Sequence, residues 1–105
     1  MGTDVLQLVL LRHGEAERQA ARDELRRLTP RGQQEADATG AALAALALPG
    51  PCVYCSPYVR ARETAERVAV AQGVAAPLVI PGVTPDDDPR RVMGRLEQLL
   101  VPGTT

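Results

Sequence analysis

The sequence predicts an α/β fold, a three-layer α/β/α arrangement around a mainly parallel sheet, and three observations predict it. Short apolar runs bounded by turn residues recur at residues 6–11, 52–55 and 78–80. Longer stretches with apolar residues at helical spacing follow each of the second and third runs and precede the second. Two of these stretches open on a capping residue followed by proline, Thr29-Pro30 and Asp88-Pro89. The order βαβαβα calls for crossover connections between parallel strands.

The first run, Leu6-Gln7-Leu8-Val9-Leu10-Leu11, is too short for a helix and reads as a strand covered on both faces, ending at Arg12-His13-Gly14. Residues 15–27 are charged and Ala-rich, and carry neither a clean helical nor a clean strand pattern. A helix is predicted from Arg31, with Ala36, Gly40, Leu43 and Ala47 on one face and Pro49-Gly50-Pro51 stopping it. Cys52-Val53-Tyr54-Cys55 reads as the second strand, ending at Ser56-Pro57. The next helix carries Ala61, Ala65, Val68 and Gln72 along one stripe and closes at Gly73. Leu78-Val79-Ile80 is the third strand, and Val92, Leu96 and Leu99 mark the apolar stripe of the last helix.

The chain has 105 residues, 45% of them hydrophobic and 24% charged, with a formal net charge of −1. Those values predict a single domain over residues 1–105 and exclude disorder and a disulfide scaffold. The near-neutral balance argues against a nucleic-acid binder. No apolar run approaches the roughly 20 residues that span a bilayer, and the start lacks a signal-peptide pattern, so a cytoplasmic location is expected. Every basic residue is Arg, and Phe and Trp are absent. A core of Ala, Leu and Val with only Tyr54 and Tyr58 as aromatics buries little area per side chain and requires close backbone approach.

In parallel sheets, ligands bind beyond the carboxyl ends of the strands. His13, the only histidine, is placed there between Arg12 and Gly14. A neutral imidazole is a nucleophile, a guanidinium is a planar fork matched to phosphate oxygens, and Gly14 leaves room for a ligand. Arg60 falls in the first turn of its helix, close enough to reach the same crevice. Thr64, one turn on, is placed to brace it, whereas Arg62 points about 200° away and reads as a solvated charge. Nucleophile plus anion clamp is the minimal set for phosphoryl transfer.

Leu11-Arg12-His13-Gly14-Glu15-Ala16, Leu28-Thr29-Pro30-Arg31-Gly32 and Ser56-Pro57 with Arg60-Ala61 and Thr64 resemble the histidine phosphatase superfamily, which has the phosphoglycerate-mutase-like fold. The short excursion after Gly14, with Asp23 and Arg26 ahead of Leu28-Thr29, is most similar to the small bacterial phosphohistidine phosphatases of the SixA type. The resemblance implies that His13 attacks phosphorus and becomes a phosphohistidine that water hydrolyses, while Arg12 and Arg60 grip the oxygens. It implies that the far nitrogen of His13 is held as N–H by a backbone carbonyl, leaving the attacking nitrogen its lone pair. Gly14, Glu15 and Thr64 join Arg12 and Arg60 as expected substrate-binding residues. No metal or organic cofactor is implied, and the expected partner is a phosphorylated protein histidine or a small phosphate ester.

The chain departs from the family pattern in two places. The superfamily places a second catalytic histidine at the end of a fourth strand lying between the first two, and a proton donor after the third; here there is one histidine, and Gly82 stands in the latter region. The expectation is therefore an N-terminal portion of the domain, lacking the strands after the third helix and impaired in turnover. Direct pairing of the first two strands, or a strand borrowed from a second copy, would close the sheet. The alternatives are a non-catalytic phosphate-binding module and a phosphatase or mutase of small phosphorylated metabolites. Cys52-x-x-Cys55 reads as structural rather than redox-active, Asp86-Asp87-Asp88 as helix capping rather than a metal site, and the arginines from Arg22 to Arg31 as a solvated face.

Overall fold

A computed structural model of the chain describes residues 9, 11, 13–47, 51–85 and 87–99. Three helices and a small parallel sheet make up its regular structure: α1 Pro30–Ala45, β1 Tyr54–Cys55, α2 Val59–Gln72, β2 Leu78–Val79 and α3 Pro89–Leu99. The mixed α/β class expected from the sequence is the one observed, and β1 and β2 pair in parallel, Tyr54 opposite Leu78 and Cys55 opposite Val79. Leu78 N–H to the Val53 carbonyl (2.9 Å) and Ile80 N–H to the Cys55 carbonyl (2.8 Å) extend the ladder. Among the described residues, no helix is long and apolar enough to cross a membrane.

The helix boundaries follow local chemistry. The Thr29 side chain accepts the Gly32 N–H at 3.0 Å, and Pro30 supplies a first helical position that needs no donor. Gly73 closes α2 with φ 68°, the left-handed conformation that a Cβ disfavours. The Asp88 carboxylate accepts the Arg90 N–H at 2.9 Å, and Asp87 binds the Thr84 hydroxyl at 2.7 Å; both act in local turn and cap contacts. Asp86 lies outside the described residues.

The core forms where α1 crosses α2. Ala36 and Gly40 are buried on α1 and Ala65, Val68 and Ala69 on α2, while Gly32, also buried, meets the Gly14–Glu15 turn. A Cβ on Gly40 would fall 2.8 Å from the Ala71 Cβ and 3.3 Å from the Val68 Cα, so the crossing depends on the bare glycine. This is the close backbone approach that a core without Phe or Trp requires. Ion pairing of Arg67 with Asp37 at 2.8 Å fastens the rim.

Three expectations are corrected. Ala47 is not on the α1 face: the helix ends at Ala45, and Ala47 is exposed with φ 50°. Cys52 lies outside the second strand, which is restricted to Tyr54–Cys55; Cys52 is exposed and Cys55 buried. The first strand falls mostly outside the described residues, and its two described members, Val9 and Leu11, are exposed rather than covered on both faces. The pairing expected between the first and second strands also falls outside the described residues.

Candidate active site

Residues 14–29 form a closed loop rather than a helix. Ala16 and Leu28 make an antiparallel bridge, Glu17 N–H reaches the Arg27 carbonyl at 2.8 Å, and a single 3-10 turn covers Asp23–Leu25. The Glu63 carboxylate on α2 accepts the Leu28 N–H at 2.8 Å and pairs with Arg27 at 3.2 Å, which docks the loop onto the helix. Leu28 is buried beneath it.

Gly14 turns the chain onto the start of α1. Where its Cβ would project stands the backbone of Gly32, and a Cβ on Gly32 would meet the backbone of Glu15. The direction a side chain would take from Gly14 is thus filled by the helix, while the glycine also borders the open cleft beside His13. Its buried N–H donates to the Thr64 hydroxyl at 3.2 Å, and that hydroxyl donates to the Arg60 carbonyl at 2.8 Å. Thr64 thereby links the His13-Gly14 turn to the first turn of α2.

His13 Nδ1 lies 2.6 Å from the Gly14 carbonyl oxygen, a contact that only an Nδ1–H can make favourably. Nε2 therefore carries the lone pair, and the Arg60 Nε–H donates to it at 3.3 Å. The Arg60 side chain is 6% exposed. One Nη donates to the Asp23 carbonyl at 2.8 Å, the other to the Asp23 carboxylate at 3.3 Å, and the Tyr58 ring lies 4.8 Å from the guanidinium carbon. A buried cation is tolerable when acceptors and a π-face surround it in this way.

An open cleft of about 560 Å³ borders His13, Gly14 and Glu15 on one side and Arg26, Glu35 and Thr39 on the others. Arg60 is not part of that wall; it meets the imidazole from α2. Glu15 is exposed, with its carboxylate 3.6 Å from Arg31 and its N–H bonded to Glu35 at 2.7 Å. Arg62 is exposed and pairs loosely with Glu66 at 3.9 Å, as its helical phase predicts. Arg12 lies outside the described residues. A second depression of about 440 Å³, between Leu25, Arg27, Val59 and Glu63, is walled by charges that already pair with one another. Among the described residues, no group of His, Cys, Asp and Glu is arranged to hold a metal ion.

Asp23 and Tyr58 were not singled out from the sequence as parts of this site. Asp23 is 37 residues from Arg60 in the chain, and no periodicity connects an irregular loop to a helix. Its carboxyl is held below the ordinary carboxylate range chiefly by a hydrogen bond from Arg26; partial desolvation opposes this, and Arg60 adds to the lowering by hydrogen bond and charge.

The chain matches the histidine phosphatase superfamily (branch 1) over residues 8–81. It is similar to the solved structure of the protein histidine phosphatase SixA complexed with tungstate, with 32% identity and a TM-score of 0.73 over 83% of this chain and 56% of that one. A SixA structure from Nakamurella multipartitia is 37% identical with a TM-score of 0.51, over 69% of this chain and 38% of that one. The chain therefore spans about half the length of the structures it matches, or less. No curated protein matches it.

Proposed function

The chain belongs to the histidine phosphatase superfamily, and we propose that its chemistry is that of a phosphohistidine phosphatase acting from the cytoplasm on phosphorylated protein histidine. The observation that carries this reading is the tautomer of His13: a carbonyl holds Nδ1–H at 2.6 Å, so Nε2 presents its lone pair beside a buried guanidinium. In the first step the Nε2 lone pair attacks phosphorus, a new N–P bond forms, the substrate's P–N bond breaks, and the leaving imidazole takes up a proton. Water then attacks the phosphorylated His13, releasing inorganic phosphate and restoring the lone pair. Arg60 stabilises the charge on the transferring oxygens, and Arg12, from its place in the family motif, is the second clamp. Gly14, Glu15 and Thr64 shape and brace the pocket. Both steps balance without a metal or an organic cofactor.

The far ring nitrogen of a phosphohistidine can take its proton from water before the P–N bond breaks, so the ring leaves as neutral imidazole and the substrate class itself reduces the need for a strong proton donor at the site. The solved SixA is complexed with tungstate, which supports an oxyanion as the class of ligand this chain takes. Free Cys52 and Cys55 fit a reducing compartment.

One observation favours a second reading, a binding module without turnover: the Arg60 Nε–H occupies the lone pair that must attack. Incubation with labelled phosphoramidate separates the two. Acid-labile label on the natural chain, absent from His13→Ala, supports the phosphatase. Binding of inorganic phosphate with no covalent label under any condition supports the module.

A further inference from the structure

A guanidinium offers two hydrogen-bonding edges, an end formed by its two Nη atoms and a side formed by Nε and the adjacent Nη. In Arg60 the end is taken twice by one residue, through the Asp23 carbonyl at 2.8 Å and the Asp23 carboxylate at 3.3 Å. The side edge faces His13 Nε2 at 3.3 Å. The same carboxylate places its other oxygen 3.1 Å from Arg26, so one side chain spans both guanidiniums. The 3-10 turn that carries Asp23 also fixes its carbonyl, which accepts the Arg26 N–H at 3.1 Å. Without this restraint, a long side chain with several free torsions would point its fork at the phosphoryl group only part of the time.

We propose that Asp23 is the positioning residue of the site: by holding the end of the Arg60 fork, it aims the remaining Nε and Nη hydrogens at the oxyanion formed on His13. The inference rests on the phosphoryl-transfer reading of His13 and Arg60. Asp23 touches no reacting atom and acts on the oxyanion through Arg60, while its contact to Arg26 steadies the carboxylate. An oxyanion arriving at Nε2 would take over the Nε–H from the imidazole while both contacts to Asp23 persist.

The test is a double-mutant cycle on the full 105-residue chain, with Asp23→Ala, Arg60→Lys and the pair. Two quantities are measured: the saturating rate of His13 labelling by phosphoramidate, and the affinity for orthovanadate. Loss of a charge-assisted contact to a half-exposed carboxylate predicts a fall of roughly fivefold to tenfold in the labelling rate for Asp23→Ala. Asp23→Asn, which keeps the acceptor oxygen, should fall between the two. In the Arg60→Lys background, Asp23→Ala should change the rate by less than about twofold, because the fork it holds is gone. An equal loss in both backgrounds, or no loss in the natural one, overturns the proposal. Solvent exchange of the Arg60 Nη hydrogens, which are the ones bonded to Asp23, followed by NMR, reports the tether independently of chemistry. Should the natural chain neither label nor bind vanadate, the phosphatase reading fails, whereas faster exchange in Asp23→Ala still supports the tether and unchanged exchange refutes it.

Discussion

Replacing Thr64 with Val removes one oxygen and keeps the branched shape, at a residue 5% exposed. That oxygen accepts the buried Gly14 N–H at 3.2 Å and donates to the Arg60 carbonyl at 2.8 Å. The two losses differ in cost. The Arg60 carbonyl lies within α2, whose backbone bonding it retains, so losing the side-chain donor costs little. The Gly14 N–H is buried, and the Thr64 hydroxyl is the acceptor that satisfies it. An orphaned buried donor costs about 2 kcal/mol. At a urea m-value of about 1.5 kcal/mol/M, the unfolding midpoint should fall by more than about 1 M. Thr64→Ser keeps the oxygen and loses only a methyl group, a cost of about 0.8 kcal/mol or less. Because Gly14 also carries the carbonyl that fixes the His13 tautomer, His13 labelling should slow in the valine variant and not in the serine variant. Urea titrations of the three proteins decide the point. A valine variant as stable as the serine variant would refute the account of Thr64 as the strap between the histidine turn and α2.

Gly32→Ala should abolish folding, since its Cβ would overlap the Glu15 carbonyl and neither backbone segment has room to retreat; loss of the cooperative transition by circular dichroism checks this. Gly40→Ala tests the helix crossing: helix propensity favours alanine by about 1 kcal/mol, yet the 2.8 Å approach to Ala71 should make the variant less stable, and a rise in melting temperature would contradict the packing described. Asp23 has a depressed folded-state pKa, so its stabilising contribution is complete above the unfolded value of about 3.9 and is lost as pH falls through the lower folded value. The stability difference between the natural chain and Asp23→Asn should accordingly be flat above about pH 5 and shrink below about pH 4, and a difference that widens on acidification would be the wrong sign. Burial pushes the Cys55 thiol up, so iodoacetamide should modify Cys52 well before Cys55 in the folded protein.

Local chemistry made much of this fold legible. Thr29-Pro30, Asp88-Pro89 and Gly73 each act within one turn of where they stand, so their roles do not depend on distant residues. The approach of Arg60 to His13 could be anticipated because a first-turn helix position after a strand has few directions to point. Long-range contacts were harder to read. The helix stripe was extended to Ala47, where the chain has already left the helix, because alanine and leucine periodicity continues past the point at which the backbone turns. Gly14 borders the cleft but also packs against Gly32, a contact between two backbones that leaves no trace in side-chain pattern. The Asp23–Arg60 tether joins an irregular loop to a helix and has no periodic signature at all.

The bond lengths also indicate how an oxyanion would enter this arrangement. Arg60 is held at its far end by a carbonyl at 2.8 Å, whereas its contact to the imidazole is 3.3 Å, beyond the usual N–H range. The weaker bond is the one that lies where phosphate would arrive. Charge-assisted donation to a phosphoryl oxygen is shorter and roughly twice as strong as a bond to a neutral nitrogen. Exchange of that one bond therefore frees the His13 lone pair and gives the anion its donor in the same movement, without opening the loop or unburying the guanidinium. Its end edge would remain on Asp23 throughout, so the buried guanidinium is never left without an acceptor. These contacts belong to the 14–29 loop and the first turns of α2 rather than to the two-stranded ladder. Among the described residues, the contacts that hold the histidine turn and the guanidinium together are those that dock the loop on α2, through Glu63, Thr64 and Asp23.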